Sequence, residues 1–164
     1  LPVLFLVLLE PGEAMSLAIA ILFILAALTD LLDGYVARRY NIVTRMGKLL
    51  DPIADKIIMS AALVLLIPVG RAQAWVVALM IMRDFAVDGL RSMAAAEGHV
   101  IEASRLGKYK TLCQIIAVSA LIIHYPICGI DAATIGTAFL YVALVLSLWS
   151  GFDYLVKFYR TTLV

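Results

Sequence analysis

The chain has 164 residues, of which 64% are hydrophobic and 15% charged, with a mean hydropathy of +1.03 and a formal net charge of +1. Soluble domains are about 45–50% apolar, so this composition excludes an ordinary soluble fold and points to an integral membrane protein, with no nucleic-acid partner expected. A spanning helix needs about 20 apolar residues, which leaves room for five or six spans and no second domain, so residues 1–164 are expected to form one transmembrane domain.

The first apolar run, residues 1–9, is too short to cross a bilayer and is read as the cut-short remainder of a first helix. Glu10, Pro11, Gly12 and Glu13 are a turn signal, after which apolar residues predict a second helix over about 14–35. A basic loop carrying Arg38, Arg39, Arg45 and Lys48 precedes a third span over about 52–69, closed by Pro68 and Gly70. The fourth, over 73–96, is apolar for ten residues and then carries Arg83, Asp84, Asp88 and Arg91. The fifth, over 105–124, opens with Gly107, Lys108, Lys110, Thr111 and Gln114, and Pro126, Cys128 and Gly129 mark the turn beyond it. The sixth, over 132–158, has Asp153 as its only acid and is assigned to packing and dimer surface. Cys113 and Cys128 have no metal-ligand spacing and imply neither a disulfide framework nor a zinc site.

Alternating spans collect every cation except Arg71 on one side, out of 13 Lys and Arg in all. That polarity makes the side cytoplasmic. It also supports the span count, because one helix more or fewer would scatter the charges. Trp75 and the tyrosines near helix ends fit an aromatic belt.

The chain is organised around residues 30–55, where Asp30, Asp33, Asp51 and Asp55 sit at the cytoplasmic ends of two spans. Residues three or four apart share a helix face, so Asp30 pairs with Asp33 and Asp51 with Asp55. One charge at the bilayer centre costs about 2.5–3.5 kcal/mol, and four carboxylates together need a strong compensating partner. Divalent Mg²⁺ or Mn²⁺ suits them, because both prefer carboxylate oxygens. A blander reading makes Asp51 an N-cap before the first-turn Pro52; three more aspartates at matching spacing favour metal.

The stretch has the form D-x2-D-G-x2-A-R-x8-G-x3-D-x3-D, filled by Asp30, Asp33, Gly34, Ala37, Arg38, Gly47, Asp51 and Asp55. It resembles the signature of the CDP-alcohol phosphatidyltransferases, with every defined position present. The resemblance implies a bundle of six transmembrane helices with a cytoplasm-facing polar cavity, usually homodimeric, in the bacterial inner membrane. It implies that the four aspartates hold one or two divalent ions, with Asp55 also the catalytic base. Gly34 and Ala37 would keep the wall beside CDP-diacylglycerol clear, Arg38 would pair with phosphate, and Gly47 would allow close helix approach. The stretches RDFAVDGLR and ASRLGKYKTLCQ are similar to those of family members that use sn-glycerol 3-phosphate. Arg83, Arg91, Lys108 and Lys110 would then hold the acceptor phosphate, a role four cations suit better than a neutral polyol would require.

Other readings stand beside these. Arg39, Arg45 and Lys48 serve as topology determinants, and Gly34 and Gly47 can also serve helix packing. Arg83, Asp84, Asp88 and Arg91 could neutralise one another within the fourth helix, and Lys108 and Lys110 could snorkel to the interface. The same chemistry could use inositol phosphate, serine or a phospholipid as acceptor. A cation or proton transporter is the rival from another class, but the acids form no relay towards the far face.

Overall fold

The computed structural model describes residues 2–9, 12–39, 56–96, 105–127 and 129–162. The regular structure of the described residues is all helical apart from one very short hairpin. A 3-10 helix covers Pro2–Leu9, where the sequence suggested the remainder of a spanning helix. Five α-helices follow: α1 (Glu13–Arg39), α2 (Lys56–Leu65), α3 (Ala74–Ala96), α4 (Arg105–Ile123) and α5 (Ala132–Thr162). At 1.5 Å per residue, α5 is about 46 Å long and α1 about 40 Å.

On α1 the side chains of Ser16, Ile19, Ala20 and Phe23 are buried, the i, i+3, i+4, i+7 spacing of one helix face, and α1 packs on α4. Its other face is apolar too, with Leu17, Ile21, Leu22, Leu25 and Leu28 all exposed. The pattern recurs on α5, where Val142, Val145, Trp149 and Phe152 face outward. Helices apolar on their outward faces are in their proper solvent in lipid rather than in water. Among the described residues, α4 and α5 are long and apolar enough to cross a membrane.

Helices α4 and α5 pack closely. A Cβ on Gly136 would lie 2.7 Å from the Leu121 Cγ and 2.9 Å from its backbone nitrogen, so only glycine allows this approach. Around it Ala117, Val118, Leu121, Leu140, Ala143 and Leu144 are buried in one core with residues of α1, α2 and α3.

The expected third span stops as a helix before the apolar run ends. Helix α2 ends at Leu65, and the chain turns through residues 66–70, with the amides of Arg71 and Ala72 donating to the Leu66 carbonyl at 3.0 and 3.1 Å. Pro68 biases the residue before it away from helix, and Gly70 takes a left-handed φ of 70°. Between α4 and α5, β1 (Pro126–Ile127) pairs antiparallel with β2 (Ile130–Asp131) around Gly129 at φ 79°. Asp131 then caps α5, accepting from the amides of Ala133 and Thr134 at 3.1 and 3.3 Å and from the Thr134 hydroxyl at 2.5 Å.

Candidate functional site

Helices α3 and α5 run toward the end of the bundle from which α4 departs, so the second half of each meets the first turns of α4. There they enclose a cleft of about 250 Å³, joined by Lys56, the first described residue of α2. Its polar lining is Lys56 from α2, Arg83, Asp84, Asp88 and Arg91 from α3, Lys108, Lys110 and Thr111 from α4, and Ser150 and Tyr154 from α5. Among the described residues five cations thus face two carboxylates, an excess that attracts anions.

Asp84 is the hub. It accepts Lys110 Nζ at 2.5 and 2.6 Å and Arg83 Nη1 at 2.9 Å. Lys110 is only 6% exposed, so its ammonium depends on that carboxylate for compensation. Arg83 Nη2 donates to Ser150 Oγ at 2.8 Å, and the Ser150 hydroxyl donates to the Leu146 carbonyl at 2.7 Å. The Arg83 side chain lies against α5 at Gly151, where an added Cβ would be 3.0 Å from its Nε and 3.1 Å from its Cγ. Lys56 pairs with Asp88, each about a third exposed.

Arg91 and Lys108 differ from these. Both are exposed and line the cleft, and among the described residues neither has a carboxylate partner. Arg91 stacks on the Tyr154 ring, its Cζ 5.7 Å from the centroid. Tyr154 is 4% exposed, and its hydroxyl has no partner among the described residues, nor has Arg83 Nε.

The structure therefore brings Arg83, Arg91, Lys108 and Lys110 into one cleft, as the sequence suggested. It pairs the α3 acids across helices rather than within α3: Asp84 with Lys110 and Asp88 with Lys56, with only Arg83 and Asp84 bonded along the helix itself. The α1 backbone is helical through positions 30, 33, 34, 37 and 38, while the side chains of Asp30, Asp33, Ala37 and Arg38 lie outside the described residues. Gly47, Asp51 and Asp55 lie outside them altogether. Lys56, which follows Asp55 directly in the chain, lines the cleft.

The model of the CDP-alcohol phosphatidyltransferase family matches residues 1–149. The chain belongs to that family. Among its relatives, the CDP-diacylglycerol-glycerol-3-phosphate 3-phosphatidyltransferase of Bacillus subtilis (strain 168) is 48% identical over 141 residues, covering 86% of this chain and 73% of the relative. Proteins of the same name from Rickettsia felis and Sodalis glossinidius are each 39% identical, covering 82% and 88% of this chain and 75% and 80% of the relatives. These are membrane phosphatidyltransferases of bacteria, and the outward apolar faces of α1 and α5 agree with that setting.

In this family member α5 does more than pack. Ser150 and Tyr154 join the cleft, and Gly151 makes room for Arg83, contributions that the reading of α5 as packing and dimer surface missed. A signal was present: Ser147, Ser150, Gly151 and Tyr154 stand at i, i+3, i+4 and i+7, a small and polar stripe on an apolar helix. Lys56 was likewise counted only as a topology charge.

Proposed function

We infer that this chain transfers the phosphatidyl group of CDP-diacylglycerol to sn-glycerol 3-phosphate, giving phosphatidylglycerophosphate and CMP in phospholipid biosynthesis. The 48% identity over 86% of the chain with the Bacillus subtilis enzyme named for that reaction carries this conclusion. The cleft's surplus of cations over carboxylates among the described residues supports an acceptor that bears its own phosphate.

In this reading the acceptor's 1-hydroxyl oxygen attacks the phosphorus of the phosphatidyl group. The bond from that phosphorus to the CMP oxygen breaks, and the hydroxyl proton passes to Asp55. Arg91 and Lys108 meet the acceptor phosphate, with Arg83 and Lys110 behind them in the Asp84 network. Lys56 adjoins Asp55, so the base and the acceptor cleft are neighbours along the chain. Gly34, Ala37 and Gly47 leave room for the nucleotide lipid, and Arg38 pairs with its phosphate.

Asp30, Asp33, Asp51 and Asp55 form an all-carboxylate donor set, the hard-oxygen set that Mg²⁺ or Mn²⁺ takes. The helical backbone of α1 through residues 30 and 33 places two of them on one face, so the residues fit a divalent cation. Bound there, the cation would offset the charge of the pyrophosphate and of the departing CMP. The proposed architecture is a single domain of six spans with the cleft facing the cytoplasm, in a homodimer in the bacterial inner membrane. The one-sided distribution of the cations supports that orientation.

The test is CMP release by the purified full-length protein supplied with CDP-diacylglycerol and Mg²⁺, with one acceptor at a time. Release that requires glycerol 3-phosphate and stops with EDTA is expected. Release with a different alcohol alone would overturn the acceptor assignment.

A further inference from the structure

The end of the bundle opposite the cleft has a small polar pocket of its own. The turn after α2 and the second turn of α5 enclose about 110 Å³ beside Arg71, Gln73, Thr137 and Tyr141. Arg71 is the one cation that the charge pattern leaves at this end. Its Nη1 donates to the Ile122 carbonyl at 3.0 Å and the Leu121 carbonyl at 3.5 Å, which fixes the guanidinium against the C-terminus of α4. The remaining donors, Nε and Nη2, have no acceptor among the described residues, and none of their carboxylates forms an ion pair with Arg71.

Gln73 is also fixed. Trp75 Nε1 and the Tyr141 hydroxyl both donate to its Oε1 at 2.7 Å. An indole N–H is a donor only, so the oxygen must be the atom facing Trp75, and the amide orientation is settled by chemistry. Its NH₂ is then left with two donors and no acceptor among the described residues. Thr137 spends its hydroxyl proton on the Ala133 carbonyl at 2.8 Å. The pocket therefore combines a held guanidinium with an oriented amide NH₂, and no acid lines it among the described residues.

We propose that this pocket binds the phosphate of a phospholipid headgroup at the membrane face opposite the catalytic cleft. An excess of fixed N–H donors with no acid is the complement of a phosphate group. The pocket is small, about 110 Å³, against about 250 Å³ for the cleft, which suits a phosphate group. Trp75 and Tyr141, whose rings lie 6.1 Å apart, mark the level at which aromatic side chains meet headgroups. The site is separate from the transferase cleft: Gln73 and Arg83 are ten residues apart along α3, roughly 15 Å.

The test is native mass spectrometry of the full-length protein in detergent, titrated with phosphatidylglycerol, with diacylglycerol, and with inorganic phosphate. Gln73→Glu keeps an oxygen for Trp75 and Tyr141 while replacing the NH₂ donor by a negative charge. It should retain phosphatidylglycerol about tenfold more weakly than wild type, the factor for one charge-assisted hydrogen bond. Diacylglycerol, which has no phosphate, should be retained equally by both. Arg71→Gln should act in the same direction, although it also removes a helix cap. CMP release by Gln73→Glu should stay within about twofold of wild type, as expected for a distant site, and it reads the transferase independently of the lipid pocket. Equal retention of phosphatidylglycerol by wild type and Gln73→Glu would overturn the proposal, as would a parallel loss of diacylglycerol. Displacement by inorganic phosphate of the lipid that Gln73→Glu fails to hold would reassign the pocket to the free ion.

Discussion

At the cleft end of the bundle, side chains are tied to side chains across helices; at the opposite end, apart from the Tyr141–Gln73 hydrogen bond, they are tied to backbone or to neighbours in the turns. Asp84, Lys110, Arg83 and Ser150 link α3, α4 and α5 through charged or hydroxyl groups. At the other end Arg71 closes the carbonyls of α4, and Asp131 closes the amides of α5. Backbone closure satisfies groups that any helix end exposes, and it says little about function. A network of charges crossing three apolar helices is costly to assemble, and at the cleft it leaves Arg91 and Lys108 free of carboxylates among the described residues. The contrast separates the end proposed to perform the chemistry from the end where backbone closure dominates.

The contrast can be broken at either end. Asp55→Asn should reduce CMP release by about 10² to 10⁴-fold with the melting temperature little changed, since it would remove the proposed general base and put an isosteric side chain in its place. Activity near wild type would sink that assignment. Asp84→Ala strands the buried Lys110 ammonium and should cost about 3–5 kcal/mol, seen as a lowered denaturation midpoint in detergent. Gly136→Ala pushes a methyl group onto the Leu121 backbone and should cost about 1–3 kcal/mol without altering the KM for either substrate.

The smallest effect belongs to the α5 cap. The Thr134 hydroxyl, and then the amides of Ala133 and Thr134, hold the Asp131 carboxyl below its ordinary pKa of 3.8. A depressed folded pKa means that its stabilisation is complete above the ordinary value and fades as pH falls through the lowered one. Asp131→Asn keeps a capping oxygen that does not titrate. It should barely move the melting temperature at pH 7 and should flatten its decline below about pH 4. An unchanged acid decline would remove Asp131 from the account.

Helix ends were legible wherever punctuation was strong. The sequence places α3 over 73–96 and begins α5 at 132, against observed spans of Ala74–Ala96 and Ala132–Thr162, because Gly70, Pro126 and Gly129 mark the turns. The end of α2 was misplaced because apolar residues continue through Leu66, Ile67 and Val69, while the stop is set by Pro68 and Gly70 inside that run. The membership of the cleft was partly legible, since helical spacing aligns Asp84, Asp88 and Arg91. The pairing was not. Lys110 reaches Asp84 across 26 residues, Lys56 reaches Asp88 across 32 and Arg83 reaches Ser150 across 67, and no periodicity within one helix encodes which cation faces which acid on another.

The most direct measurement is the KM for glycerol 3-phosphate of Arg91→Ala, Lys108→Ala and the double variant, with Gln73→Glu as the control from the other end. Each cation lost from the cleft should raise that KM on the order of tenfold, with the KM for CDP-diacylglycerol and the melting temperature near wild type and Gln73→Glu unaffected. An unchanged KM for glycerol 3-phosphate in the double variant would contradict the assignment of this cleft to the acceptor.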